Sequence, residues 1–214
     1  MRKMTEKQRV IRTFDRQAAM YDRNRDNPVL GEWRRRLLAD ARGEILEAAV
    51  GAGANFPFYP KGEARVTAVD ISGEMLKYAR RAARQWNVDC TFIRADLEEI
   101  DFPPRSFDRI ISTMSLCSYA NPVRLLRRMN RWCRPDGQIL LMEHGLSSRP
   151  LIRLLQHAVD PLSRHITGCH INRDLDAILA QSGLRPVRTE SRWMGIVRLI
   201  WAVPGPANGC GNDG

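Results

Sequence analysis

Three residues carry the first chemical signal in this chain of 214 residues. Gly51 and Gly53 bracket one alanine just past an apolar run, EILEAAV at 44–50, and Asp70 ends a second run, ARVTAVD at 64–70, 17 residues after Gly53. Glycines beyond a strand let a ligand approach the backbone, and a carboxylate at the tip of the next strand can accept hydrogen bonds from both hydroxyls of a ribose. A dinucleotide would require a third glycine at position 56 and a helix N-terminus for its pyrophosphate. Position 56 is phenylalanine, and Asn55-Phe56-Pro57-Phe58-Tyr59-Pro60 holds two prolines that leave no long helix there. The pattern fits a nucleoside without a pyrophosphate.

The elements that must position these residues alternate. A helix is expected over 5–21, because Ile11, Phe14, Ala18 and Tyr21 recur at helical steps with Arg9, Arg12, Arg16 and Arg23 around them. A second is expected over about 29–41. Strands follow at 44–50, 64–70, 88–94, 106–114 and 138–144, with helices at 72–86, opened by Ser72, and 122–132, beginning near Asn121. Pro135-Asp136-Gly137 reads as a turn before the fifth strand, and the apolar segment 151–159 should stop at Pro161. A last helix, 175–181, ends at Gly183, and the β-like runs 185–193 and 195–203 read as an antiparallel edge pair. Alternation of this kind implies a parallel sheet covered on both faces.

The motifs resemble the class I S-adenosylmethionine (SAM)-dependent methyltransferases, specifically the UbiE-like group, over about residues 10–183. ILEAAVGAG (45–53) is similar to their first motif, with Ala49 where the family has the first of three glycines. The resemblance implies an α/β fold: a Rossmann-like seven-stranded methyltransferase sheet, parallel with an antiparallel C-terminal edge hairpin, with helices on both faces and N-terminal cap helices. It implies SAM as cofactor and S-adenosylhomocysteine as product. Glu47, Ala49, Gly51, Gly53 and Asn55 would surround the methionine part, with Asp70 on the ribose and Ile71 and Met75 near the adenine. Asp96 would accept from the adenine amino group beside the Leu97 backbone, and Thr113 and Met114 would close the site at the end of strand four. Segments 53–60, 115–122, 142–145 and 168–174 resemble a branch of small bacterial phospholipid and animal thiol methyltransferases. FDRQAAMYDR (14–23) resembles the segment that folds over SAM, which would bring Tyr21 to the methionine carboxylate or the acceptor; a core aromatic is the equal alternative.

An amine or thiol acceptor must lose a proton, so a base is expected among His144 and His170, with Glu143 and Tyr119 behind them. A histidine without catalytic duty accounts for either one as simply. Cys117 lacks the Pro-Cys context of a cytosine-C5 nucleophile and reads as core or pocket lining. The five scattered cysteines form no CxxC pair, so no metal site is expected and a reducing cytosol fits. Net charge is +10, with thirty arginines and four lysines, which favours anionic partners. A phospholipid amine headgroup, an alkyl thiol or a quinone ring all suit a small lipophilic acceptor. An RNA acceptor is disfavoured because strand four ends in Ser112-Thr113-Met114-Ser115 and not in an Asn/Asp-Pro-Pro-aromatic motif. The expected organisation is one monomeric domain over 1–204, with cap helices in 1–42 and a lid-like insertion at 145–170, then a flexible tail at 205–214. The expected location is the cytoplasm, peripheral on the inner membrane face through the basic first helix.

Overall fold

The computed structural model describes residues 5–206; Cys210 and most of the expected tail lie outside them. The helices are α1 (Glu6–Arg23), α2 (Pro28–Leu38), α3 (Gly73–Trp86), α4 (Pro122–Trp132), α5 (Pro150–Thr167) and α6 (Leu175–Ser182). The strands are β1 (Gly43–Ala48), β2 (Ala64–Asp70), β3 (Asp89–Arg94), β4 (Phe107–Thr113), β5 (Cys133–His144), β6 (Arg185–Arg192) and β7 (Val197–Val203). Local chemistry sets the helix starts. Thr5 and Gln8 form a reciprocal cap on α1, Ser72 Oγ accepts from the Met75 amide, and Asn121 Oδ1 accepts from the Arg124 amide.

The sheet order is β3-β2-β1-β4-β5-β7-β6, parallel from β3 to β5 and antiparallel across β7 and β6. Alternate residues of each strand feed opposite cores. Ile45, Val66, Ile111 and Leu140 pack with Leu37, Leu38, Leu76 and Ala79 of α2 and α3. Their neighbours Leu46, Ile110 and Leu141 pack with Leu125, Met129 and Trp132 of α4 and with Ile178 and Leu179 of α6. Both faces being covered explains why these strands read as continuous apolar runs.

Three expectations about elements are corrected. The segment Pro135-Asp136-Gly137 lies inside β5 and not before it: the register jumps from Phe107↔Cys133 to Arg109↔Gln138, so these residues form a bulge. A Cβ at Gly137 would stand 2.7 Å from Cys133 Sγ and 2.8 Å from the Asp108 carbonyl, so only glycine fits the bulge. The apolar helix continues through Pro161 to Thr167. A proline removes one bond to the carbonyl four residues back without forbidding the turns after it. Here those turns are held by Asp160, whose carboxylate accepts from the Ile171 amide at 2.8 Å and sits 3.0 Å from His170 Nδ1. The start of the C-terminal segment is also tied down, since the Gly205 amide donates to Asn130 Oδ1 at 3.1 Å.

Helix α5 inverts the usual amphipathic pattern. Its buried residues are Gln156 and Asp160, whereas Leu151, Leu154 and Leu155 are 83%, 70% and 62% exposed. Gln156 braces the helix against the end of β5, accepting from the Ser147 amide at 2.8 Å and donating to the Gly145 and Ile171 carbonyls, each at 2.9 Å.

Candidate active site

The chain leaves β1 towards β2 on one side and reaches β4 on the other, so their carboxyl ends part and open a crevice. The resulting cavity is about 1630 Å³. One drug-sized ligand typically occupies a pocket of about 300–1,000 Å³, so a cofactor and an acceptor have room side by side. Helix α1 roofs it with Val10, Thr13, Phe14 and Tyr21, and α5 contributes Pro161, Arg164 and His165.

Three left-handed residues shape the floor: Ala49 at φ 51°, Gly51 at φ 56° and Gly53 at φ 81°. A Cβ at Gly51 would meet nothing within 4 Å, so the backbone there faces open cavity. Gly53 serves packing instead: its Cβ would lie 2.8 Å from the Phe56 ring and 2.9 Å from Ala82, and it does not line the cavity. Asp70 is buried beside this floor. Its Oδ2 accepts from the Gly51 amide at 2.9 Å and its Oδ1 from the Ser72 amide at 2.8 Å. Burial pushes its carboxyl up to about 6 against the pull of those two amides, with Asp15 adding to the rise. An ionised carboxylate has about four acceptor sites, so two amides leave capacity for ribose hydroxyls. Ile71, Met75 and Leu97 supply an apolar wall next to Asp96.

Glu47 and Asn55 are buried one layer behind the lining residues. Glu47 Oε1 accepts from Asn55 Nδ2 at 2.9 Å and Oε2 from the Tyr59 hydroxyl at 2.7 Å, while Asn55 also donates to Thr113 Oγ1 at 3.2 Å. Burial pushes Glu47 up to about 7. This network fixes Thr113, which does line the cavity with Ala49 and Met114. Glu143 plays the same part under β4. It accepts from the Ser112 hydroxyl at 2.6 Å and from the Ser115 and Leu116 amides at 2.9 and 3.1 Å, holding the turn in which Met114 adopts φ 56°.

The acceptor side gathers Tyr21, Tyr119, His170 and Arg173. Asp160 orients the His170 ring through Nδ1. Burial raises the Tyr21 phenol to about 12 and the Tyr119 phenol well above its ordinary value, so both remain neutral donors. His144, at the end of β5, is not among the residues lining the cavity, and its side chain bonds to Cys169. The Cys117 thiol bonds to the Cys169 sulfur and, with His144, pulls the Cys169 thiol down towards its thiolate.

Two residues escaped sequence reasoning. Arg34, on α2, lines the cavity, with its buried Nε and Nη1 unpaired; it sat inside a run of three arginines that reads as a solvated face. Lys7 bonds Asp96 at 2.9 Å and Glu99 at 2.6 Å, tying the first turn of α1 across the nucleobase wall. Asp15 completes that roof by accepting from the Ser72 hydroxyl at 2.5 Å.

The comparisons agree with this geometry. A family model described as "Methyltransferase domain" matches residues 46–141. Over 151 residues the chain is 30% identical to the ubiquinone/menaquinone biosynthesis C-methyltransferase UbiE of Bdellovibrio bacteriovorus, covering 66% of this chain and 64% of that one. It is 28% identical over 159 residues to a phosphatidylethanolamine N-methyltransferase of Cereibacter sphaeroides, covering 72% and 77%. To thiol S-methyltransferase TMT1B of Rattus norvegicus it is 30% identical over 135 residues, covering 61% and 55%. The chain thus spans less than two thirds of the length of two of these relatives. The solved structure of mitomycin 7-O-methyltransferase MmcR shares the fold, with a TM-score of 0.70 at 20% identity over 94% of this chain and 61% of that one. Fold and crevice together are those of a class I SAM-dependent methyltransferase domain. Within that class the chain is similar to members of the UbiE-like group.

Two outcomes follow from the floor of the crevice. Protonating Asp70 removes an acceptor for the ribose, so S-adenosylhomocysteine affinity should fall as pH drops below about 6. Isothermal titration calorimetry from pH 5 to pH 8 checks this, and Asp70→Asn should bind weakly with the low-pH decline abolished. Ala49→Gly should raise stability by about 1 kcal/mol, the scale of left-handed strain in a residue with a Cβ; urea denaturation reads it.

Proposed function

We propose that this chain methylates a small lipophilic or lipid acceptor, the best candidate being the amine of a phospholipid headgroup of the phosphatidylethanolamine type at a membrane surface. The observation that carries this reading is α5. Leu151, Leu154, Leu155, Leu162 and Ile166 face solvent from a helix that also lends Pro161, Arg164 and His165 to the cavity. An apolar face beside a cationic entrance matches a molecule with an acyl tail and an anionic headgroup. No helix among the described residues is long and apolar enough to cross a membrane, so the contact proposed is with the surface. Helix α1 serves as the roof of the site: its Ala18 is buried, and Phe14 and Tyr21 line the cavity. Of the two segments that could meet a membrane, the basic first helix and the apolar stretch 151–155, we assign the contact to the second.

Bound in the crevice, SAM supplies a sulfonium methyl already activated for displacement. The chain's own contribution is position, dryness and one proton. Helices α1 and α5 wall the cavity on the side away from the sheet, where a bound acceptor would take the place of water. An amine with a pKa of about 10 or a thiol of about 8.5 must give up a proton before its lone pair is free. We assign that proton to His170, held by Asp160 on the acceptor side. Tyr21 and Tyr119, kept neutral, can donate to a headgroup oxygen.

The acceptor is tested by incubating labelled SAM separately with phosphatidylethanolamine vesicles, alkyl thiols, demethylated quinones and RNA. Label is expected in the lipid; label confined to thiol, quinone or RNA overturns the lipid reading in favour of that acceptor. Leu151→Asp with Leu155→Asp should abolish sedimentation with anionic vesicles while S-adenosylhomocysteine binding persists. His170→Ala should lower turnover by about 10²-fold or more at unchanged S-adenosylhomocysteine affinity, and raising pH should restore part of the loss. Full activity in that variant would leave positioning as the whole of the chemistry.

A further inference from the structure

The loop that joins β6 to β7 carries side chains that a turn of its shape does not favour. Trp193, Met194 and Gly195 stand in the left-handed region in succession, at φ 47°, 56° and 81°. The Gly195 amide closes the turn on the Arg192 carbonyl at 3.1 Å. A turn with both central residues at positive φ ordinarily takes asparagine and glycine, because a Cβ is strained there. Here a tryptophan and a methionine hold the two central positions. Both are open to solvent, at 53% and 56% exposure, so burial within the chain does little to offset the strain. The Trp193 ring meets Trp33 edge-on, 4.7 Å between centroids, and its remaining surface faces outward. Strained residues that persist without burial point to a use outside the fold.

The turn is fixed beside the start of α5. The Met194 carbonyl accepts from the Ser148 amide at 3.0 Å and from the Ser147 and Ser148 hydroxyls at 2.7 and 2.9 Å. Leu151, Leu154 and Leu155, the exposed leucines of α5, follow within two turns. A hairpin tip and a helix face thus project together. Their charge is of one sign: segments 145–159 and 191–197 contain no acidic residue. Arg149 and Arg153 are exposed, and their side chains make no hydrogen bond or ion pair among the described residues. An indole suits the boundary between water and lipid, where its ring is apolar and its N–H stays wet. Arginines beside it are attracted to anionic headgroups.

We propose that the Trp193–Met194 turn is a tip that inserts into an anionic bilayer and anchors the chain there. This rests on the reading that α5 meets a lipid surface, and it adds a second point of contact that sets the orientation. Pro161, which borders the cavity, lies about 16 Å further along α5 from Pro150 by the rise of a helix. With the tip anchored at one end of α5, the cavity entrance at the other is held at the same surface.

The test sediments the full chain, without SAM, with vesicles of phosphatidylethanolamine and phosphatidylglycerol. Trp193→Asn with Met194→Gly supplies the residues that the turn favours. It should weaken vesicle binding about 10- to 100-fold, the scale for apolar side chains kept out of an apolar phase, at unchanged S-adenosylhomocysteine affinity. Trp193→Phe should bind vesicles nearly as well as wild type, and it decides the matter if the double variant does not fold. Brominated phospholipid should quench the tryptophan fluorescence of wild type and far less that of Trp193→Phe; equal quenching overturns the proposal. Wild-type binding by the double variant, with binding lost in Leu151→Asp with Leu155→Asp, overturns the tip and leaves the contact of α5 standing. A wild type that ignores vesicles overturns the membrane reading itself. Self-association of wild type in analytical ultracentrifugation, lost in the double variant, gives the tip to a second copy of the chain and overturns the lipid as its occupant.

Discussion

One buried carboxylate fastens the two halves of the crevice. Asp70 closes β2, and each of its oxygens accepts one amide, Gly51 from the loop after β1 and Ser72 at the start of α3. The glycine loop therefore cannot shift without disturbing α3, and α3 cannot slide without moving the loop. The arrangement is held against the cost of burying an acid, which is why its proton affinity rises. Ser72 extends the chain of contacts outward by capping α3 and by giving its hydroxyl proton to Asp15 on the roof helix. Floor, wall and roof thus share one run of hydrogen bonds, and any ligand held by Asp70 is sensed by all three.

Much of this was legible in the chain because it depends on local rules. Two glycines and an acid at the ends of apolar runs mark the crevice, and Ser72 and Asn121 mark helix starts that the structure places at Gly73 and Pro122. The edge hairpin followed from two β-like runs with almost no linker. What stayed hidden was obscured by its neighbours or depends on long-range packing. Arg34 shares the helical stripe of Leu30, Trp33, Leu37 and Leu38, and Arg35 and Arg36 fall outside it; that spacing was the signal for its burial, masked by a run of three arginines that reads as a solvated face. The motif around Glu47 was legible and its depth was not, since an alternating strand pattern does not say how thick the wall is. Pro161 misled because a proline inside an apolar run ordinarily ends a helix, and the brace that carries α5 past it comes from Asp160 and residues ten further on.

The chain's relatives explain why the acceptor resists reading from motifs. Three relatives of similar identity are named for transfer to carbon, nitrogen and sulfur. The methyltransferase family model matches residues 46–141, from β1 into β5, the stretch that builds the floor of the crevice. The acceptor side comes from α1, α5 and the loop around His170, elements joined to the sheet by side-chain braces such as Gln156 and not by the ladder. Parts attached in that way can change composition without disturbing the cofactor floor, so acceptor chemistry diverges on a constant base.

The roof is fastened at two places. Lys7 reaches across the nucleobase wall to Asp96 and Glu99, and Asp15 latches onto Ser72 two turns later. A roof pinned at one end by partly exposed charges is a contact that dissolved ions loosen, because mobile counterions screen such pairs. The part-buried latch of Asp15 on Ser72 is screened far less, so brine would slacken the two ends of one helix unequally.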